Sequence, residues 1–317
     1  MKHLLSIEKL TKEDIVFILD NVAYFKKNRG SAEHRFLSGQ TWALLFSKSS
    51  TRTRVSFEVG LRELGANVLF LSARDIQLGR GEPIKDTARV LGRMVHGAVI
   101  RTYGQNEVEE FAEYSKIPTI NALTDDEHPC QILTDIYTFQ ELRNEPITGK
   151  TVAFFGDGSS NVANSWLFAA AKVGFNLKIA APKKYQPPQR LIARLNATLI
   201  SQNGDKSVYK LPSGSILTLT EDMKEAATGV DLLYTDVWVS MGKEAESEER
   251  IKELSPYQLN KSITSLANPG ALVMHCLPAY RGKEIDEETF EAHAETIFTE
   301  AENRLHTQKS ILRWMTI

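Results

Sequence analysis

The sequence has few cysteines, and this limits the class of protein that it can encode. Cys130 and Cys276 are its two cysteines among 317 residues, too few for a scaffold held together by disulfides. No uninterrupted apolar run reaches the roughly 18 residues that a membrane-spanning helix needs. The N-terminal segment contains acidic residues and lacks the apolar core and cleavage site of a signal peptide. We therefore expect a cytoplasmic protein with no membrane partner.

The sequence also lacks an excess of charge of either sign. Its 38 basic and 40 acidic side chains give a formal net charge of −2, which argues against a nucleic-acid partner and means that any anion site must be built locally. It has no Gly-Lys-Ser/Thr phosphate loop for a nucleoside triphosphate and no Gly-x-Gly-x-x-Gly. A strand followed by Gly156-Asp157-Gly158 keeps a nicotinamide-dependent dehydrogenase as an alternative, which a nucleotide-binding titration would test.

The chain is long enough for two domains, and its strands and helices alternate as in parallel α/β sheets. We predict domains at 1–146 and 147–299, with a C-terminal helix at about 300–317 packing back on the first. Within the second domain, we predict a helix around 187–203. The predicted fold class is α/β, with two domains that each contain a parallel sheet flanked by helices. Because ligands bind at the carboxyl ends of such strands, the active site is predicted in the cleft between the domains.

A group of hydroxyl and guanidinium side chains separates a predicted strand from a predicted helix. The segment reads Ser50-Thr51-Arg52-Thr53-Arg54, with Ser50 placed as the N-cap of the helix. A helix N-terminus offers free N–H groups to an anion, and arginine adds bidentate contacts to phosphate oxygens. The segment therefore predicts a phosphate site, although a capped surface helix with solvated arginines would give the same pattern.

The residues from Ser50 to Glu58, STRTRVSFE, resemble the carbamoyl-phosphate signature of the aspartate/ornithine carbamoyltransferase family. Three further elements resemble the same family in the same order along the chain: His128-Pro129-Cys130-Gln131, Ser240-Met241-Gly242 and His275-Cys276-Leu277-Pro278. The Ser-Met-Gly and His-Cys-Leu-Pro elements are typical of the family members that use ornithine. The resemblance thus covers nearly the whole chain, from Ser50 to Arg304.

The resemblance implies a role for residues in both domains. Catalytic roles fall to Arg101 and His128, which would polarise the carbamoyl carbonyl group, and to Asp236 and Cys276, which would orient and deprotonate the amine. The residues implied in carbamoyl-phosphate binding are Ser50, Thr51, Arg52, Thr53, Gln77, Arg101, His128, Gln131, Cys276, Leu277 and Arg304. Those implied in ornithine binding are Asn161, Asp236, Ser240 and Met241. The bond between Leu277 and Pro278 is commonly cis in these enzymes.

The implied activity is transfer of the carbamoyl group from carbamoyl phosphate to the δ-amine of L-ornithine, as in arginine biosynthesis, with no metal and no organic cofactor. The resemblance also implies a homotrimer or a multiple of it, in which Gln77 completes the pocket of a neighbouring subunit. The alternatives are of three kinds. The acceptor could be putrescine, an N-acylated ornithine or aspartate, the reaction could be used catabolically, or the protein could be a non-catalytic homologue. The chain departs from the family pattern in the turn Gly-Asp-Gly-Ser-Ser-Asn161. Members of the family usually have two asparagines directly after the second glycine, so this turn has an apparent extra residue.

Overall fold

The computed structural model describes residues 1–72, 81–239 and 246–317. Within these ranges, none of the helices combines the length and apolar character that crossing a bilayer requires.

The chain divides into two compact units. Unit 1 consists of Met1–Tyr137 and Glu302–Ile317, and unit 2 consists of Thr138–Ala301. The two divisions fall inside helices α5 (Pro129–Arg143) and α12 (Ala294–Met315). The last residues of the chain therefore belong with its first half.

Unit 1 contains a parallel sheet with the strand order β2-β1-β3-β4. Its central strands are buried along almost their whole length, which is why their sequences are nearly continuous apolar runs. The edge strand β2 instead alternates between exposed and half-buried residues at its start. The strands are β1 (Thr41–Phe46), β2 (Asn67–Ser72), β3 (Gly97–Arg101) and β4 (Thr119–Leu123).

Helices cover the sheet of unit 1. Besides the parts of α5 and α12, they are α1 (Lys12–Lys27), α2 (Thr51–Glu63), α3 (Ile84–Leu91) and α4 (Gln105–Ser115). Helix α1 begins with a capping box formed by Thr11 and Asp14. The hydroxyl of Ser310 in α12 donates a 2.6 Å hydrogen bond to the carbonyl oxygen of Ile18 in α1, which fixes the C-terminal helix within unit 1.

Unit 2 contains a seven-stranded sheet with the order β11-β10-β5-β6-β9-β8-β7. The first five strands in that order are parallel, whereas β8 runs antiparallel to both β9 and β7. The strands are β5 (Thr151–Phe155), β6 (Asn176–Ala180), β7 (Thr198–Asn203), β8 (Lys206–Lys210), β9 (Ile216–Thr220), β10 (Leu232–Thr235) and β11 (Leu272–His275).

The helices of unit 2 differ strongly in length and burial. They are α6 (Asn161–Val173), α7 (Gln189–Arg194), α8 (Met223–Ala227), α9 (Ser247–Leu254), α10 (Lys261–Thr264) and α11 (Glu287–Ala292). Ten residues of α6 are buried, so this helix is enclosed by protein on most of its surface.

The helix predicted around 187–203 is wrong beyond Arg194. Residues 198–203 form β7, which pairs with β8 through a tight hairpin in which Asn203 lies opposite Lys206. Gly204 takes a positive φ of 60° in this turn, a conformation that glycine adopts without a steric cost. Gly204-Asp205 is the two-residue loop of this hairpin. A glycine followed by aspartate in such a loop is a strong hairpin signal, and it overrides the short helical pattern that precedes it.

The predicted fold class is confirmed by these two α/β units and their parallel sheets. In unit 2 the register places Phe155, Thr235 and His275 side by side on β5, β10 and β11. Gly156, Asp236 and Cys276 come directly after these three residues, so they form a row at the carboxyl edge of the sheet. That edge is where ligands of α/β sheets bind.

Candidate functional site

The phosphate site predicted at Ser50 begins a helix, as expected. Ser50 is the N-cap of α2, and its hydroxyl oxygen accepts a 3.3 Å hydrogen bond from the backbone N–H of Thr53. Thr51 is exposed, Arg52 is half-buried and Thr53 is buried. The first turn of a helix directs N–H groups and the positive end of its dipole outward, so these side chains surround a position suited to an anion.

Arg101 ends strand β3, which pairs with β1, and the chain after β1 leads into this turn. It is the last residue of β3, it pairs with Phe46 at the end of β1, and it is buried. Its carbonyl oxygen accepts a 2.8 Å hydrogen bond from the N–H of Ser47. Pairing with β1 therefore fixes the backbone of Arg101, and its side chain extends from a rigid strand end.

Arg304 joins three helices of unit 1. This buried side chain donates hydrogen bonds to the carboxamide oxygen of Gln131 in α5 and, at 3.3 Å, to the hydroxyl of Thr53 in α2. The amide nitrogen of Gln131 in turn donates to Asp135 at 2.8 Å. Because α12 carries Arg304, the C-terminal helix places a third cation near the start of α2.

His128 precedes Pro129, the first residue of α5, and is buried. Burial lowers the pKa of His128 well below its usual 6.5, and the charges of Arg304, Arg101 and Arg52 lower this pKa further. The imidazole is therefore neutral near pH 7 and keeps one N–H that can donate. We call Arg52, Arg101, His128 and Arg304 the arginine cluster.

Asp236 and Cys276 lie together in unit 2. The thiol of Cys276 donates a hydrogen bond to one carboxylate oxygen of Asp236 at 3.0 Å, and the N–H of Val237 donates to the same oxygen at 2.7 Å. Burial raises the pKa of Asp236, and these hydrogen bonds and the nearby His275 only partly offset this effect. A carboxylate in this state is a better proton acceptor than an exposed aspartate.

The backbone after Cys276 is held by a buried histidine and a buried glutamate. The N–H of Leu277 donates to Nδ1 of His275 at 2.9 Å, and Nε2 of His275 lies 3.1 Å from Oε1 of Glu284. Since Nδ1 is the acceptor, Nε2 carries the proton and donates to the carboxylate. Leu277 has a positive φ of 55° and its bond to Pro278 is cis, as the resemblance implies. Asp236, His275, Cys276 and Glu284 are the carboxylate cluster.

The row at the edge of the unit 2 sheet continues into helix α6. Ser160 caps this helix by accepting a 3.2 Å hydrogen bond from the N–H of Ala163, and Asn161 is its first residue. Asn161 is half-buried, and Asn164 lies one turn further along and is buried. A second capped helix N-terminus therefore lies beside the strand end that carries Asp236.

Asp236, His275 and Cys276 each present one possible metal ligand, with these atoms within 4.8 Å of one another. Both ring nitrogens of His275 are already engaged by Leu277 and Glu284. A metal at this position would have to break one of those hydrogen bonds, so the group fits a hydrogen-bonded network better than a metal site.

The structure brings most of the predicted residues into two groups, one in each unit. Arg304 of the arginine cluster donates hydrogen bonds to both Thr53 and Gln131. Cys276 and Leu277, which the resemblance also assigns to the carbamoyl group, belong to unit 2 with Asp236. The predictions for Gln77, Ser240 and Met241 lie outside the described residues.

Three buried charged residues that have specific partners were not identified from the sequence. Glu284 fixes His275, Lys48 is a buried lysine paired with Asp125, and Arg250 forms a buried ion pair with Asp157. Their partners are 9, 77 and 93 residues away in the chain. No local spacing rule identifies such pairs, and only the Glu284 pair lies close enough for a motif to have included it.

Comparison with known proteins matches both halves of the chain to one family. Residues 2–141 match the family model described as the carbamoyl-P binding domain of aspartate/ornithine carbamoyltransferase. Residues 148–315 match the model described as the Asp/Orn binding domain of the same family.

Individual relatives agree with this match over their full length. The chain is 52% identical over 314 residues to an ornithine carbamoyltransferase of Akkermansia muciniphila, covering 98% of this chain and 97% of the relative. It is 49% identical to one of Campylobacter fetus, covering 99% and 98%. Among solved structures, the anabolic ornithine carbamoyltransferase of Campylobacter jejuni is similar with a TM-score of 0.89 and 41% identity, covering 100% of this chain and 99% of that one. The Pyrococcus furiosus enzyme has a TM-score of 0.87 and 41% identity, with coverage of 98% and 96%.

Proposed function

The chain belongs to the aspartate/ornithine carbamoyltransferase family, and we propose that it transfers the carbamoyl group of carbamoyl phosphate to the δ-amine of L-ornithine. The products are L-citrulline and phosphate. The observation that carries this proposal is the arginine cluster, in which the neutral, buried His128 lies among three arginines near the N-terminus of α2. It offers the donors that a phosphorylated carbonyl compound needs, within one unit of the chain.

In unit 1, the phosphate of carbamoyl phosphate binds at the first turn of α2. The side chains of Ser50, Thr51, Arg52 and Thr53 and the N–H groups of this turn contact its oxygens. The positive end of the helix stabilises a dianion there, and it does so most strongly when the bond to the carbamoyl group breaks and phosphate leaves. The leaving group therefore departs into a site that favours its full charge.

The carbamoyl carbonyl is polarised by Arg101 and His128, with Arg304 and Gln131 contacting the same group. Attack by an amine converts the carbonyl oxygen into an oxyanion, and donors fixed in advance stabilise that charge without reorganising. A histidine held neutral by burial and by three neighbouring arginines donates a hydrogen bond without taking a proton. It thus polarises the substrate without competing with the amine for protons.

In unit 2, ornithine binds at the carboxyl edge of the sheet. Asp236 pairs with its α-ammonium group, and Asn161 at the start of α6 contacts its α-amino and carboxylate groups. Ser240 and Met241 complete this half of the site. Cys276 orients the δ-amine and acts together with Asp236 to accept its proton, which must leave because a protonated amine has no lone pair. The short contact between the thiol and the carboxylate supports this pairing.

Carbamoyl transfer of this kind needs no covalent enzyme intermediate. Carbamoyl phosphate already carries a good leaving group, so the amine nitrogen bonds to the carbonyl carbon and the C–O bond to phosphate breaks. We propose that no metal or organic cofactor takes part. The neighbouring subunit's contribution, through Gln77 in a homotrimer or a multiple of it, also belongs to this proposal, as do a cytoplasmic location and a role in arginine biosynthesis.

Formation of the carbamoylated product from carbamoyl phosphate tests the proposal when ornithine, putrescine, N-acetylornithine and aspartate are offered in parallel, and with ornithine this product is citrulline. We expect turnover with ornithine alone. Putrescine and N-acetylornithine lack the free α-ammonium that pairs with the buried Asp236, and aspartate lacks a δ-amine. Turnover with a different acceptor would retain the phosphate half of the proposal and overturn the ornithine half. No turnover with any of the four would favour a non-catalytic homologue. Sedimentation analysis of the same preparation tests the trimer.

A further inference from the structure

We infer that Arg250 is a positioning residue for ornithine: its buried guanidinium group ties the Gly156–Ser160 turn, which leads into Asn161, to the strand end that carries Asp236. This inference rests on the proposed function, because it assigns Arg250 to the same ornithine-side groups. All of the residues involved belong to unit 2.

Arg250 lies in helix α9 and is only 3% exposed. One of its terminal nitrogens forms an ion pair with Asp157, and its Nε donates a 2.8 Å hydrogen bond to the carbonyl oxygen of Trp238. Its guanidinium carbon lies 4.9 Å from the ring centroid of Tyr185. The planar group is therefore held by the Asp157 carboxylate, one carbonyl and one aromatic ring from three separate segments of the chain. Its other terminal nitrogen lies 3.8 Å from the exposed carboxylate of Glu246.

The ion pair acts on the turn that leads into α6. Asp157 uses one carboxylate oxygen for Arg250 and the other for Ser159, whose N–H and hydroxyl donate at 3.0 and 2.6 Å. The next residue, Ser160, is the N-cap of α6, and Asn161 follows it. Rotation of the Asp157 carboxylate would thus disturb the backbone immediately before Asn161.

The hydrogen bond to Trp238 acts on the segment that carries Asp236. Trp238 is buried and follows Asp236 by two residues. A side-chain carbon at Gly156 would lie 3.4 Å from the Trp238 ring, so the indole packs against the same turn. Arg250 therefore fixes the backbone of Trp238 through its carbonyl oxygen. The indole ring of Trp238 packs against the same turn that contains Asp157.

Stability alone explains this arrangement poorly. Removing two charges from water is costly, and buried ion pairs are often no more stabilising than neutral side chains of similar size. The surface pairs that Lys184 forms with Glu249 and Glu253 would hold α9 to the Lys183–Tyr185 turn without that cost. Arg250 contacts the segments that carry Asn161 and Asp236, whereas those surface pairs do not. Positioning these two residues is therefore a role that the surface pairs cannot provide.

The test compares Arg250→Gln, Arg250→Lys and the double variant Asp157→Asn/Arg250→Gln in the full chain. We expect kcat/KM for ornithine to fall about 100-fold in Arg250→Gln, the scale of a 1 Å misplacement of reacting groups. Carbamoyl-phosphate affinity, measured by calorimetry without ornithine, should change by less than about twofold, because the arginine cluster is in unit 1. Arg250→Lys should recover part of the loss, since an ammonium group can pair with Asp157 but does not reproduce the planar fork.

The double variant guards against failure to fold, because it leaves no unpaired buried charge. It should lose the same factor for ornithine as the single variant. Glu249→Gln, which alters an exposed ion pair of the same helix, serves as the matched control and should behave as the unaltered protein.

A folded double variant with unaltered ornithine kinetics would overturn the inference, as would an equal loss of affinity for both substrates. Failure of the unaltered protein to carbamoylate ornithine would instead contradict the proposed function, and the ornithine assignment of Arg250 with it.

Discussion

Helices α2 and α6 use the same backbone arrangement for different chemistry. Each has 13 residues, each follows a strand of a parallel sheet, and each is capped by a serine whose hydroxyl accepts the N–H three residues later. The first turn of α2 carries Thr51, Arg52 and Thr53, with Arg101 and Arg304 nearby. The first turn of α6 carries Asn161, Val162 and Ala163, beside a carboxylate rather than a cation.

The comparison separates what the backbone provides from what the side chains provide. A capped helix N-terminus attracts an anion in both units. The arginines of unit 1 match the two negative charges of a phosphate. The amide and carboxylate groups of unit 2 match an amino acid, which carries one negative and one positive charge at its α-carbon. We therefore expect substitutions in the two units to affect the two substrates separately.

The largest effect that would test this separation is expected for Arg52→Ala. This change removes a guanidinium that we propose contacts the phosphate, so it should weaken carbamoyl-phosphate binding by at least about 100-fold, since each charged hydrogen bond contributes roughly 1.5–3 kcal/mol. Calorimetric titration with carbamoyl phosphate measures this directly. Arg54→Ala is the matched control, because Arg54 pairs with Glu58 and lies 3.6 Å from the Phe70 ring centroid. Equal losses for the two variants would contradict the assignment of Arg52.

A large effect confined to the second substrate is expected for Asp236→Asn. In the proposed mechanism this change removes the partner of the α-ammonium and the proton acceptor beside Cys276. The value of kcat/KM for ornithine should therefore fall by about 100-fold or more, as is typical of lost acid–base groups. Binding of carbamoyl phosphate should not change. Asp231→Asn tests the specificity of the effect, because Asp231 precedes the same strand and bonds the N–H of Thr151 at its opposite end. Retained ornithine kinetics in Asp236→Asn would remove Asp236 from the mechanism.

Much of the fold could be predicted because it depends on local patterns. Continuous apolar runs identified the central strands, and a serine before an amphipathic run identified the N-cap at Ser50. The error at 187–203 arose where a short helix and a hairpin lie within one stretch. Residues of β7 are exposed throughout, so no burial pattern distinguished this strand, and the loop Gly204-Asp205 was the signal that could have done so.

The site was predictable to the extent that its residues lie in short motifs. His128 precedes a helix, and Cys276 follows a strand, so both are found by position. The state of His128 was not predictable, because its lowered pKa depends first on burial and then on Arg304 and Arg101, which are far apart in the chain. Arg250 was missed for the same reason, since nothing near it in sequence indicates its pairing with Asp157.

The pH dependence of stability sharpens the comparison, because His128 in unit 1 and Asp236 in unit 2 should contribute in opposite directions. The pKa of His128 is lowered in the folded protein, so the unfolded chain binds the proton first and stability is lost as pH falls below 6.5. The pKa of Asp236 is raised above its usual 3.8, so its contribution is present below that pH and is lost as pH rises through the folded pKa.

Urea unfolding measured across this pH range should therefore distinguish His128→Asn from Asp236→Asn. Relative to the unaltered protein, His128→Asn should gain stability on acidification below pH 6.5, at up to about 1.4 kcal/mol for each pH unit. Asp236→Asn should be the more stable protein at pH 7, and this advantage should shrink towards pH 3.8. Parallel curves for either variant and the unaltered protein would show that the substituted group does not titrate as its surroundings indicate.

The smallest effects are expected at the two capping serines, and they address the comparison most directly. Ser50→Ala and Ser160→Ala each remove one hydroxyl acceptor from a 13-residue helix, at a cost of about 1 kcal/mol of stability. The two costs should be similar because the backbone arrangement is the same. The kinetic effects should differ: Ser50→Ala should raise the KM for carbamoyl phosphate several-fold, and Ser160→Ala should raise only the KM for ornithine. If both variants raised the same KM, the two helix N-termini would serve one substrate, and the division of labour between the units would be wrong.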